Sequence, residues 1–267
     1  MMTMNLQWLD TFRYVSSQSE EQLVSCYDGI FKCRYGYGRA SETASHGEKG
    51  QDFVGVHITG DVCNFVLCDG VGMSYQGDFA SRFVGNTLLN WLDTTEDWTS
   101  VGFTSYMQDL TRTATEELNL VDIPDDLPAL LKEVLTDKRR LGSHTMYICG
   151  RIELPTSTQV GRIWMAWQGD CRLRFWRDDQ EISEYFQRTM QTNEHWSTAQ
   201  GVLGSAPHVY QSRLEYGIPM RLQLYTDGLH DLDAIRERLP DEQIQILFDA
   251  PHTYGLTDDA AFLELNW

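Results

Sequence analysis

The sequence predicts an α+β fold, one domain in which two packed sheets carry flanking helices. Three observations lead there. Residues 53–69 hold two Val-, Ile- and Phe-rich runs joined by Gly60-Asp61, the signature of a β-hairpin. Residues 145–176 give three short strand candidates in succession, as in an antiparallel meander. Residues 220–225 and 260–267 are two further strand candidates that enclose short helical segments. Nothing in the order marks a linker, a repeat or a low-complexity tail, so residues 1–267 are read as a single domain.

In chain order, residues 1–30 are weakly periodic and are read as an N-terminal extension. Residues 30–44 interleave aromatic and small residues, as in an edge strand weakened by its glycines. Residues 46–50 form a loop that delivers Asp52 to the hairpin. Antiparallel strands bring the entrance of one beside the exit of the other, so Asp52 and Asp69 share one end. Gly70 and Gly72 permit a tight turn, and Ser74 is placed to cap a helix. In that helix Phe79, Phe83, Leu88 and Trp91 recur at helical spacing, while Gly77, Ala80 and Ser81 allow close approach. A polar break at 93–100 precedes a helix over 106–120 and a shorter one over 127–135. The basic run Asp137-Lys138-Arg139-Arg140 reads as a solvated turn or as a group near an anionic substrate. Strands follow at 145–152, 159–167 and 172–176, with Gly169-Asp170 turning between the last two. Trp164, Trp167 and Trp176 are assigned to sheet packing. Residues 182–190 are helical in pattern, and 195–208 read as a long connection able to form a flap. The strand at 220–225 runs into Thr226-Asp227-Gly228. Short helices at 232–239 and 242–248 and a Thr257-Asp258-Asp259 turn then lead to the last strand.

Composition excludes some functions. The 39 acidic and 21 basic residues give a net charge of −18, which disfavours a nucleic-acid partner. No apolar stretch is long enough to span a bilayer, and the start MMTMNLQWLDTF lacks the features of a secretory signal. The six cysteines include no CxxC pair, and Cys63, Cys68 and Cys149 sit in apolar runs. A reduced, cytoplasmic chain without structural zinc is the expectation.

The chemistry is concentrated in aspartates. Asp69 and Asp227 leave strands and are each followed by glycine, whereas Asp52 and Asp258 enter strands. If 220–225 and 260–267 are antiparallel neighbours, Asp227 and Asp258 meet as Asp52 and Asp69 do. Facing carboxylates repel unless a cation or proton joins them, although Asp is also a common surface turn residue. Four carboxylates at one rim suit Mg²⁺ or Mn²⁺, and two such ions about 4 Å apart can orient a water toward phosphorus or a carbonyl.

At this point a resemblance becomes specific. QD at 51–52, FVLCDGVG at 65–72 with GDFAS at 77–81, and GSHT at 142–145 occur in order. QGDCR at 168–172, LYTDGL at 224–229 and DDAAFLEL at 258–265 follow. Together they resemble the metal-dependent serine/threonine protein phosphatases of the PP2C (PPM) family, and ASHGEKGQD resembles its bacterial branch. The resemblance implies an α-β-β-α sandwich of two antiparallel sheets. It implies two Mn²⁺ or Mg²⁺ ions held by Asp52, Asp69, the Gly70 carbonyl, Asp227 and Asp258. It also implies in-line hydrolysis of phosphoserine or phosphothreonine by metal-activated water, without a phosphoenzyme. Asp52 would act partly by supporting bound waters, and Asp170 would brace its turn. The implied partner is a phosphorylated protein, a serine/threonine kinase or its target.

The family pattern is broken in three places. Gly47 stands where many members place a phosphate-binding arginine, leaving Arg39, His46 and Lys49 as basic candidates. Val71 replaces a histidine proposed as general acid, with His230 a candidate stand-in. A third-metal aspartate is not evident; Arg139 falls near its place, and Asp137 would serve only with a local shift. Two rival functions follow: a pseudophosphatase that binds phosphoprotein without turnover, and a purely structural docking domain. The oligomeric state is not legible in the sequence.

Overall fold

The computed structural model describes residues 11–156, 159–249 and 256–267. The chain opens with β1 (Thr11–Val15), β2 (Gln22–Asp28) and β3 (Lys32–Gly38). Helix α1 (Ser41–Ser45) leads to the hairpin β4 (Phe53–Thr59) and β5 (Val62–Gly70). Helices α2 (Gly77–Thr94), α3 (Ser100–Asn119) and α4 (Ala129–Leu141) follow. Then come β6 (His144–Glu153), β7 (Gly161–Gln168), β8 (Arg172–Arg177), β9 (Gln180–Glu181) and α5 (Glu184–Gln187). The last third holds β10 (His195–Ser197), β11 (Gly201–Leu203), β12 (His208–Leu214) and β13 (Met220–Tyr225). A 3₁₀ segment (Asp227–Ala234), α6 (Asp241–Asp249) and β14 (Ala260–Asn266) complete it.

One sheet has eight strands. It runs β1-β4-β5-β6, and the far edge of β6 is shared by β7, which continues to β12, and β10, which continues to β11. The other has six strands, in the order β2-β3-β14-β13-β8-β9. Strand alternation assigns the layers. Phe65 and Leu67 of β5 face the second sheet, with Leu173, Leu224 and Leu263 opposite, whereas Val66 and Cys68 face α2. Burial on both faces explains the unbroken apolar run FVLC. Helices α2 and α3 cover the first sheet through Val84, Leu88, Phe103 and Met107. The 3₁₀ segment and α6 cover the second through Leu229, Ile244 and Phe248. The result is an α-β-β-α sandwich of antiparallel sheets, as expected.

Several local expectations are corrected. The first thirty residues are not a bare extension: β1 and β2 lie there, while residues 1–10 fall outside the described residues. Both are edge strands with one solvated face, which removes most of their apolar signal. Strand β3 is interior, because β14 arrives from the far end of the sequence to pair with it. The meander breaks at Gly169-Asp170: β6 pairs with β7, but β8 crosses to the other sheet and pairs with β13. The 137–140 run is the end of α4, where cations complement the helix dipole, and not a turn. Ser74 caps no helix; its hydroxyl donates to the Val71 carbonyl and accepts from the His144 N–H. Helix is confined to Glu184–Gln187 within 182–190, and residues 235–239 are not helical. The 195–208 segment is no flap, since it forms β10 and β11 and enters β12, with Trp196 buried against Met107. The six cysteines are free thiols. Among the described residues, no helix is long and apolar enough to cross a membrane.

Candidate metal centre

Two hairpin-like pairings, one from each sheet, deliver the aspartates to one end of the sandwich. The β4–β5 register pairs Phe53 with Cys68, so Asp52 emerges beside Asp69. The β13–β14 register pairs Tyr225 with Phe262. The Thr226 N–H donates to the Ala261 carbonyl at 3.1 Å, and the Ala261 N–H donates to the Thr226 hydroxyl at 2.9 Å. Asp227 and Asp258 therefore flank the same strand ends. Glycine is required at both Asp-Gly turns. A Cβ on Gly70 would lie 2.6 Å from the carbonyl oxygens of Gln51 and Gly77. One on Gly228 would lie 2.0 Å from the Asp259 carbonyl oxygen.

The electrostatics follow from this crowding. Burial, and then the Asp69 charge, hold Asp52 well above the usual carboxylate range, although Thr226 hydrogen-bonds to it. Burial pushes Asp69 up strongly, and Asp227, Asp170 and Asp258 add to it while Arg172 opposes. Burial likewise raises Asp227, with Asp258 and Asp170 contributing, and raises Asp258. Asp52 is only 3 % exposed, and its Oδ2 has no hydrogen-bond partner among the described residues. A buried acceptor of this kind is costly unless something binds it. Among the described residues, no three His, Cys, Asp or Glu side chains converge closely enough to grip one ion. The carboxylates act on one another through their fields and not as a closed ligand shell. The donor set, all carboxylate and carbonyl oxygen with one orphaned acceptor, fits a hard divalent cation.

The supporting residues include some that the sequence reading passed over. Asp259 is 4 % exposed and bridges two segments: Oδ1 accepts from the Ala40 N–H at 2.7 Å and Oδ2 from the Gln51 N–H at 2.6 Å. It thereby fixes the residue before Asp52. Gln18, fully buried, donates from Nε2 to the Asp52 carbonyl at 3.1 Å and to Ser81 Oγ at 3.0 Å. The doubled Asp258-Asp259 was a visible signal for the first; nothing local marks the second. Thr145 of the GSHT stretch pairs with Gly70, and its hydroxyl donates to the Asp69 carbonyl at 2.8 Å.

The basic candidates divide. Arg39 is bound to Glu21 at 2.8 Å and to the Glu48 carbonyl at 3.0 Å. His46 Nδ1 is 2.8 Å from the Glu42 carbonyl oxygen. Lys49 makes no ion pair among the described residues and acts on Asp78 through its charge. Arg172, absent from the candidates, partly offsets the charge of Asp69 and Asp227 while lying 3.4 Å from Asp170 and 3.5 Å from Asp233. Asp170 thus braces its turn and also contributes to the negative rim. His230 is exposed and bonds back to the Asp227 carbonyl at 3.1 Å. Arg139 is tied to the Tyr75 hydroxyl and the Val121 carbonyl, and Asp137 is paired with Arg140 on the surface of α4. The Val71 N–H donates to the His144 carbonyl at 3.0 Å, which sets an imidazole-bearing residue next to Val71.

Solved structures of serine/threonine phosphatases share this architecture. Serine/threonine phosphatase Stp1 from Staphylococcus aureus aligns over 92% of this chain and 97% of its own, with a TM-score of 0.54 at 15% identity. RsbX in complex with magnesium aligns over 91% and 99%, with a TM-score of 0.56 at 10% identity. Serine-threonine phosphatase 2C from Toxoplasma gondii aligns over 97% and 99%, with a TM-score of 0.52 at 12% identity. No protein-family model matches the chain, and no curated protein sequence matches it. At these identities the likeness defines the class of fold: the structure matches that of the PP2C (PPM) phosphatases, in bacterial and eukaryotic examples alike.

Proposed function

We propose that the chain is a metal-dependent phosphatase that hydrolyses phosphoserine or phosphothreonine on proteins. The observation that carries this reading is the rim of Asp52, Asp69, Asp227 and Asp258, with its orphaned acceptor, at one end of a PP2C-type sandwich. Two Mn²⁺ or Mg²⁺ ions, when bound there, supply charge to hold the phosphoryl group and to acidify an attacking water. Asp69, the Gly70 carbonyl, Asp227 and Asp258 are the proposed ligands, and Asp52 supports them. Thr145, Asp259 and Gln18 orient those groups through the hydrogen bonds described above. Lys49 is the remaining basic candidate for a phosphoryl contact, since Arg39 and His46 are engaged locally. His144, whose carbonyl accepts from the Val71 N–H, is proposed as the proton donor to the departing oxygen; its Nε2 lies 3.1 Å from the Leu141 carbonyl oxygen and would have to turn toward the rim. The physiological partner is then a phosphorylated protein, a serine/threonine kinase or its target.

The engagement of Arg39 and His46 also favours a second reading, a pseudophosphatase that binds phosphoprotein without turnover. One experiment separates the two. Wild-type protein is expected to hydrolyse p-nitrophenyl phosphate with Mn²⁺ and to lose turnover with chelator. Asp69→Asn and Asp227→Asn are expected to abolish it while remaining folded. Unchanged metal-dependent turnover in both variants contradicts the site, and wild-type inactivity with intact Mn²⁺ binding selects the pseudophosphatase.

A further inference from the structure

A second concave site lies at the opposite end of the first sheet. Met146 of β6 pairs with Asp69, whereas Arg151 and Glu153 pair with Asn64 and Val62. Seven residues of strand, about 23 Å, separate the two ends. The cavity measures about 410 Å³, within the range of small-molecule sites. Its floor is two cross-strand rows. One aligns Arg151, Trp164 and Gln211; the other aligns Glu153, Arg162 and Arg213. Trp98, from the α2–α3 connection, closes over them. Its carbonyl accepts from Trp164 Nε1 at 2.9 Å and from Gln211 Nε2 at 2.6 Å, so this wall is formed in advance.

The charges in this site do not balance. Arg151 and Arg162 both bind Glu153, at 2.7 and 2.5 Å, and both lie over the Trp98 ring, at 5.8 and 5.6 Å from its centroid. Arg213 is exposed and has no carboxylate within ion-pair distance among the described residues, yet it stands directly across from Arg162. Like charges facing each other across a sheet are destabilising. Two guanidinium groups share one carboxylate, and the third has none within ion-pair distance among the described residues, in a chain of net charge −18. An anion seated between Arg162 and Arg213 would relieve that repulsion, since guanidinium forks match phosphate oxygens. The half-buried indole of Trp98 lines the cavity beside it, with Trp164, 3 % exposed, packed edge-on behind at 5.3 Å between centroids.

We infer that this cavity is a binding site for a nucleoside phosphate, with the phosphate on Arg162 and Arg213 and the base against Trp98. The inference stands apart from the phosphatase reading, because the site shares no residue with the aspartate rim. The test is calorimetric titration of the full chain with AMP in the presence of chelator, which removes binding through a divalent cation. Saturable binding is expected, unchanged in Asp69→Asn and weakened about tenfold or more in Arg213→Ala, with inorganic phosphate and adenosine each binding far more weakly than AMP. Arg213 is exposed, so its loss leaves the core intact. Three results would each overturn the assignment: no saturable heat with AMP, equal affinity in Arg213→Ala, or phosphate binding as tightly as AMP.

Discussion

The aspartate rim predicts an inversion of stability that needs no turnover to observe. The perturbation is Asp69→Asn, which removes one charge and keeps the shape. Burial and the charges of Asp227, Asp170 and Asp258 all disfavour the ionised Asp69 carboxyl, and Arg172 opposes them. In chelator the folded wild-type protein carries that repulsion, and the unfolded chain does not. The variant should then be more stable than wild type by on the order of 1 kcal/mol, the size of the repulsion between two charges about 4 Å apart in water-like surroundings. Divalent cation reverses the order. Ligand that binds only the folded state adds about 2.7 kcal/mol at a concentration of 100 times Kd. Wild type should gain that increment with Mn²⁺, and the variant little of it. Urea unfolding followed by tryptophan fluorescence, with and without Mn²⁺, reads both effects. A variant less stable than wild type in chelator would refute the reasoning, because Asp69 would then be making a stabilising contact and not enduring repulsion.

Two further perturbations probe different parts of the molecule. Glu264 on β14 is fully buried, which by itself raises its carboxyl, but Arg34, Asn266 and Arg238 outweigh burial and hold it below the usual value. A depressed folded pKa means that the stabilisation is present above the unfolded value near 4.5 and is lost as pH falls through the folded one. Glu264→Ala should cost about 3 kcal/mol at neutral pH by removing the buried, bidentate partner of Arg34, which keeps Asp241, and its stability curve should flatten against wild type below pH 4.5; parallel urea midpoints across that range would contradict the assignment. His144→Gln should slow hydrolysis of a phosphoserine peptide at least about tenfold more than that of p-nitrophenyl phosphate, since an alkoxide leaving group needs the proton and a nitrophenolate does not. Equal losses on both substrates would remove His144 from that role.

What the sequence disclosed and what it concealed divide along a physical line. The strand-end positions of Asp52, Asp69, Asp227 and Asp258 were legible because each is marked by a local signal, an apolar run stopped by Asp-Gly or started after Asp. Local signals survive in one dimension. The α-β-β-α layering was legible for the same reason, since hairpins and amphipathic helices announce which face is buried. The supports of the site were less legible, because they are long-range contacts made by ordinary residues, and only the doubled Asp258-Asp259 gave a local signal for one of them. Gln18 reaches the Asp52 carbonyl across 34 residues, and Asp259 reaches Gln51 across 208. Strand β8 looked like the third strand of a meander, and only tertiary pairing with β13 shows that Gly169 and Asp170 carry the chain between sheets. That crossing bears on function. It sets Asp170 and Arg172 at the rim, where one adds to the charge on Asp69 and the other relieves it. A negative rim built partly from a crossover turn has its charge balance set by the packing of the two sheets. Substitutions in the core beneath Gly169 should therefore disturb the aspartates as surely as substitutions among them.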